Sequence, residues 1–262
     1  MWPSEADPAT SRDNRLVIEA VTFDFWNTIA RVPTGAMTEA RQRAVAAACA
    51  SNEVEVETEL LLTSLEQVGL DWERSWAAGR HLHPREAAES LVRALGVDGA
   101  AREMVAEAFL GAGREVELEL APDIGSSLEA LRERDVRLGI VCDVGFSGGE
   151  LLRELLAAEG LLEHFSGWAF SDEVGHYKPA PQIFEAALRS LDAEPARALH
   201  VGDLRRTDIA GAAAHGMRTV RYRGMNDEGG GDPGPEADHV LDSHAELVGL
   251  IDLLTVRPAS PV

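Results

Sequence analysis

Lysine is nearly absent from this sequence: Lys178 stands alone beside 23 arginines. A chain that uses arginine at almost every cationic position has kept a compact ammonium in Val174-Gly175-His176-Tyr177-Lys178-Pro179, and an ammonium enters a narrow site that a planar guanidinium cannot. That segment is a candidate active-site segment. Cysteine is scarce too, and Cys49 with Cys142 makes no disulfide framework, as expected in a reducing compartment. No apolar run approaches a membrane span, and Met1 to Arg15 is polar with nothing suited to secretion. The expectation is a soluble cytoplasmic protein. Positive charge is also in deficit. A formal net charge of -21 repels phosphate backbones and anionic lipid, and no basic stripe offsets it, so nucleic acid and membranes are not expected partners. Oligomeric state is not legible.

What is present supports a large α/β protein: 262 residues, 45% of them hydrophobic, are ample for a sizeable core. Leu16 to Phe23, Val136 to Cys142, Gly167 to Phe170, Ala198 to Gly202 and Arg218 to Tyr222 read as short strands. Helical patterns at Ile124 to Arg134, Glu150 to Ala158, Pro181 to Leu191 and Ile209 to His215 alternate with the later strands. Such alternation predicts a Rossmann-like parallel sheet core with helices on both faces. From Thr34 to Gly113 the texture changes to Ala, Leu, Glu and Arg at helical spacing, broken near Ser51-Asn52, Gly69, His83-Pro84 and Gly96. The division expected is a core of residues 1–33 and 114–262 carrying an inserted α-helical cap of residues 34–113. Asn226 to Asp238 reads as a mobile Gly/Pro/acidic loop.

In open α/β sheets ligands bind beyond the carboxyl ends of the strands. Asp24 follows the first predicted strand, Cys142-Asp143 the second, and Asp203 the strand Ala198 to Gly202. Asp24, Asp203 and Asp208 make an oxygen-rich pocket suited to Mg²⁺, and Lys178 sets a positive charge beside them. Asp208 also has a simpler reading as the N-cap of the helix from Ile209, and Cys142 one as a small buried hydrophobe. Asp143 serves either the substrate or the order of its loop. Arg205 and Arg206 read as a solvated pair or a substrate clamp. His81 and His83, near Trp72 and Trp76, belong either to an amphipathic helix pair or to a cap pocket.

At these residues the chain resembles the haloacid dehalogenase-like hydrolase superfamily, mostly phosphatases acting through an aspartyl-phosphate. The first motif of that family, Asp-x-Asp-x-Thr, is matched by Asp24-Phe25-Trp26-Asn27-Thr28, the second by Cys142, the third by Lys178-Pro179, and the fourth by Gly202-Asp203 with Asp208. The resemblance spans Leu16 to Asp242 and includes the helical cap. It implies Asp24 as nucleophile and Mg²⁺ ligand, with the Trp26 carbonyl, Asp203 and Asp208 completing the metal site. It also implies that Cys142 and Lys178 hold the phosphoryl oxygens, with Asn27 and Asp143 beside them, and that the substrate is a small phosphorylated metabolite. The physics agrees, because an anionic phosphoryl group repels a carboxylate nucleophile unless cations bring the two together.

Two positions depart from the pattern. The family's phosphatases carry an acid/base Asp where this chain has Trp26, and an indole cannot move that proton, a loss of about 10² to 10⁴ in rate. Cys142 replaces Ser or Thr and is the weaker donor. Three readings follow: a Mg²⁺-dependent phosphatase or phosphotransferase, a 2-haloacid dehalogenase-like hydrolase whose leaving halide needs no proton, or a weakly active or non-catalytic binding protein. The single-lysine census argues against phosphonatase chemistry through a cap lysine, since the helical stretch has no lysine.

Overall fold

The structure is a computed structural model and describes residues 17–226 and 233–255. Strands β1 (Ala20–Phe23), β4 (Arg137–Cys142), β5 (Gly167–Phe170), β6 (Ala198–Gly202), β7 (Arg218–Tyr222) and β8 (His239–Leu241) form one sheet in the order β5-β4-β1-β6-β7-β8. Every neighbouring pair is parallel, with Phe23 registered against Ile140 on one side and Val201 on the other. Two further strands, β2 (Ala30–Arg31) and β3 (Glu119–Leu120), pair antiparallel as a separate ribbon. The helices are α1 (Ala36–Ser51), α2 (Thr58–Ala77), α3 (Pro84–Ala94), α4 (Ala101–Gly111), α5 (Ile124–Arg132), α6 (Gly149–Ala158), α7 (Ser171–Val174), α8 (Pro181–Ser190), α9 (Ala210–Ala214) and α10 (Ala245–Leu254).

Alternation along the strands gives the sheet two apolar faces, as helices on both sides require. Val21, Phe23, Ile140 and Val201 pack with Leu128, Leu152 and Ile251 from α5, α6 and α10. Ala20, Val141, Ala169 and Ala198 face the other way, onto Ile183, Phe184 and Leu188 of α8 and Ala212 of α9. Helices α1 to α4 gather around an apolar cluster of their own, with Val45, Leu91, Val105 and Phe109 at its centre. The chain leaves for these helices after β2 and returns into β3, so the ribbon pins both crossings, and the Ala121 N–H donates to the Ile29 carbonyl at 2.8 Å.

The expected strands at Gly167, Ala198 and Arg218 have the observed ends, while β1 begins at Ala20. Leu16 lies outside the described residues. Gly69 does not break its helix: it sits within α2, where a Cβ would meet nothing within 4 Å. Residues 227–232 of the predicted loop lie outside the described residues. Its last part is held, because Glu236 pairs with Arg221 and Asp238 accepts from Thr219 N–H at 2.9 Å. Among the described residues no helix is long and apolar enough to cross a membrane.

Candidate active site

The chain runs outward from β1 through β4 to β5, then crosses back to β6 on the other side of β1. That reversal places the crevice of an α/β sheet at the carboxyl ends of β4, β1 and β6. Asp24 follows β1, Asp143 follows β4, and Asp203 follows β6, while Lys178 arrives on the loop between α7 and α8. The Lys178 Nζ donates to Asp24 Oδ1 at 2.5 Å and to Asp208 Oδ1 at 2.7 Å, and the ammonium is only 3% exposed. The lone lysine thus sits between two carboxylates.

The carboxylates differ in state. Burial pulls the Lys178 ammonium down, but Asp208, Asp24 and Asp143 together outweigh it, and the lysine titrates well above its ordinary range. Burial pushes Asp24 up against the pull of Lys178, and the charges of Asp208 and Asp203 add to the rise. Asp208 is held below the usual carboxylate range despite its burial, by Lys178 and by the hydrogen bond from His200. Burial, helped by Asp208, pushes Asp203 up to about 7.

Asp208 is not an N-cap. Helical backbone already begins at Arg205 in a π-helical turn, Arg205–Ile209, that runs into α9. Its carboxylate is instead occupied on both sides: Oδ1 by Lys178 and by His200 Nε2 at 3.1 Å, Oδ2 by the Leu204 N–H at 3.1 Å. Gly202 makes this approach possible, since a Cβ there would lie 2.5 Å from the Asp208 Cβ. His200, fully buried in β6, is braced from behind by Thr22, Oγ1 to Nδ1 at 2.9 Å. The sequence signal for His200 is a polar residue in the middle of an otherwise apolar strand.

Asp143 joins the helical insert to the sheet. Its Oδ1 accepts from the Lys178 backbone N–H at 2.9 Å, and its Oδ2 from the Trp76 indole at 2.8 Å. Arg206, expected in solvent or on substrate, lies over the Trp76 ring at 4.2 Å, and Trp76 stacks on Trp72 at 5.7 Å. Tyr177 exchanges hydrogen bonds with the Leu82 backbone, donating to the carbonyl at 3.0 Å. Cys142 is fully buried in the apolar cluster on the α5 and α6 side; burial, then the charge of Asp24, raises its thiol. Neither cysteine is in a disulfide. Asn27 takes a left-handed turn at φ 58°, a conformation Asn tolerates, and its N–H donates to the Ala30 carbonyl.

Trp26 opens onto a cavity of about 280 Å³ between sheet and insert, lined also by Met37, Arg41, Trp72, Asp143 and Phe146. Neither histidine of the insert lines it. His83 caps α3, its Nδ1 accepting from Arg85 N–H at 3.1 Å, and His81 rests against Tyr177 with ring centroids 4.9 Å apart.

The donor set fits Mg²⁺. Among the described residues no group of three side chains forms a ready-made cage. Mg²⁺ does not need one, because it keeps several waters and takes one or two carboxylates with substrate phosphate oxygens. Asp24 and Asp203 are two such buried carboxylates, and Asp203, which accepts from Asn226 Nδ2 at 3.0 Å, has no ion pair among the described residues.

A parallel α/β sheet with a buried carboxylate–ammonium–carboxylate group beyond the carboxyl ends of its strands has its polar groups where such sheets bind ligands. The family model for haloacid dehalogenase-like hydrolases matches residues 18–216, and the chain belongs to that family. It is 33% identical over 212 residues to glyceraldehyde 3-phosphate phosphatase of Methanopyrus kandleri, covering 79% of this chain and 84% of the relative. It is 35% identical over 130 residues to haloacid dehalogenase-like hydrolase domain-containing protein 3 of Mus musculus, about half of each chain. Among solved structures, 2-haloacid dehalogenase from Pseudomonas syringae superposes with a TM-score of 0.64 at 25% identity, covering 90% of this chain and 98% of that one.

Proposed function

We propose that this hydrolase is a Mg²⁺-dependent phosphatase or phosphotransferase that acts on a small phosphorylated metabolite through an aspartyl-phosphate at Asp24. The observation that carries the reading is the Lys178 ammonium, buried against Asp24 with Asp203 close by. Lys178 holds Asp24 Oδ1, which fixes the carboxylate and leaves its second oxygen to attack phosphorus as the bond to the leaving oxygen breaks. Water then attacks the phosphorus of the aspartyl-phosphate, releases phosphate and restores the carboxylate. Asp24, Asp203 and the Trp26 carbonyl would hold Mg²⁺, which would supply the positive charge that lets two anions approach. Asp208 keeps Lys178 in place and charged, and would serve the metal through water rather than directly. Cys142 and Asn27 line the phosphoryl position, and Asp143 positions Lys178 through its backbone. Trp26 leaves the departing oxygen without a protein acid, so good leaving groups are favoured. Helices α1 to α4 serve as the cap, covering the site from the Trp72 and Trp76 side.

The Methanopyrus relative, named for a phosphorylated substrate, supports this reading. The dehalogenase alternative draws support from the aromatic Trp26 and from the Pseudomonas structure. The test is a panel of phosphate esters, acyl phosphates and 2-haloacids with and without Mg²⁺, with Asp24→Asn as the blank. Mg²⁺-dependent phosphate release, absent in the blank, is the expected result; metal-independent halide release would establish the alternative.

A further inference from the structure

Arg41 occupies an unusual place for a cation. It lies one helical turn from Val45 and two from Cys49, on the buried stripe of α1, and its guanidinium lines the cavity between insert and sheet. The guanidinium sits over Phe146 at 5.1 Å and Phe109 at 5.5 Å, and its Nη2 donates to Ser147 Oγ at 3.2 Å. Its Nε is buried with no hydrogen-bond partner, and among the described residues it has no carboxylate. Burial alone pulls the group down to about 10. A desolvated guanidinium with an idle donor is costly unless something anionic comes to it.

The cavity that Arg41 faces begins at Trp26, two residues along the chain from Asp24. Its walls are mostly apolar and aromatic: Trp26, Val32, Met37, Trp72, Val144 and Phe146. Arg41 is the single cation in that lining, and Asp143 adds negative charge. Both oxygens of Asp143 are taken, by the Lys178 N–H and the Trp76 indole, so Arg41 remains to meet one monoanion, whereas a second phosphate would add a further negative charge against the indoles. A carboxylate also matches the guanidinium fork.

We propose that Arg41 is a specificity-determining residue that binds a carboxylate on the leaving group, so that the substrate class is a phosphorylated carboxylic acid with a compact apolar or flat body. The proposal rests on the phosphatase reading and deepens it. Trp26 and Trp72 contact the body of the leaving group, and Arg41 anchors its far end. The phosphoryl end goes to Asp24 and Lys178.

The test uses the full chain with Mg²⁺ and two aryl phosphates of nearly equal leaving-group basicity, 4-(2-carboxyethyl)phenyl phosphate and 4-propylphenyl phosphate, with nitrophenyl phosphate as the check that phosphoryl transfer occurs at all. Charge-assisted hydrogen bonds of this kind discriminate by about tenfold or more. Wild type is expected to prefer the carboxylated substrate by that factor in kcat/KM, mostly through KM, and Arg41→Gln is expected to lose the preference. A wild type that turns over nitrophenyl phosphate with no preference, or a preference that survives in Arg41→Gln, overturns the proposal and leaves the phosphatase reading intact. No turnover of any of the three overturns both. Should Arg41→Gln fail to fold, binding to wild type decides: 3-(4-hydroxyphenyl)propionate is expected to raise its melting temperature and the corresponding amide is not, and equal shifts overturn the proposal.

Discussion

Replacing Lys178 with Met keeps the length of the side chain and removes the charge that Asp24 and Asp208 share. Both carboxylates are within 2.7 Å of the ammonium, and all three groups are buried. Breaking a buried pair by removing one partner costs about 3–5 kcal/mol, because the remaining charge is left without compensation. For a chain of this size that lowers the melting temperature by roughly 6 to 20 °C. The loss is expected to be non-additive. Asp208→Asn strands Lys178 in part and is destabilising alone, but in the Lys178→Met background it removes one of two uncompensated charges. The double variant is therefore expected to be more stable than the sum of the single losses by about 1 kcal/mol or more. Urea denaturation of the four proteins in metal-free buffer measures the cycle. A Lys178→Met loss below about 1 kcal/mol, or a cycle additive within about 0.5 kcal/mol, would refute the buried charge cluster.

Gly202→Ala is expected to be destabilising by about 1–3 kcal/mol, since the new Cβ meets Asp208 at 2.5 Å and pushes it off Lys178 and His200; melting near wild type would contradict that packing. Asp203 holds its proton to about pH 7 in the folded chain but only to the ordinary carboxylate range when unfolded, so without metal its contribution to stability falls as pH rises from about 4 to 7. Mg²⁺ competes with that proton and is expected to raise the melting temperature more at pH 8 than at pH 5; a pH-independent shift, or the same shift in Asp203→Ala, speaks against the metal site. Trp26→Asp is expected to speed turnover of alkyl phosphates selectively, by up to about 10²-fold, while nitrophenyl phosphate changes little. A rate series across leaving groups reads this out, and equal gains for good and poor leaving groups would mean that Trp26 does not occupy the proton-transfer position.

The parts of this fold legible in the sequence are those with a period or a punctuation mark. The buried strands around Ile140 and Val201 announce themselves as short apolar runs, and α3 and α8 start at the prolines that open them. The charged residues at strand ends were legible because a parallel sheet dictates where its chemistry lies. The ribbon of β2 and β3 was not, since two residues per strand carry no period, and neither was the three-residue β8. The alternative reading of Asp208 as an N-cap arose because a π-helical turn leaves no sequence signature before Ile209. The contacts of Trp76 with Asp143 and Arg206 join residues more than sixty positions apart, which composition and spacing cannot relate. Arg41 did leave a signal, a charge on the stripe of Val45 and Cys49, but only the cavity gives it meaning.

In the proposed reaction Asp24 carries the phosphoryl group during turnover. Acid quenching of the protein during steady-state turnover of nitrophenyl phosphate, followed by peptide mass analysis, tests it most directly. One added phosphoryl group is expected on the peptide containing Asp24, present with Mg²⁺, lost when the metal is chelated, and absent in Asp24→Asn. Phosphate release that persists in Asp24→Asn, with no such adduct on the wild-type peptide, would contradict it.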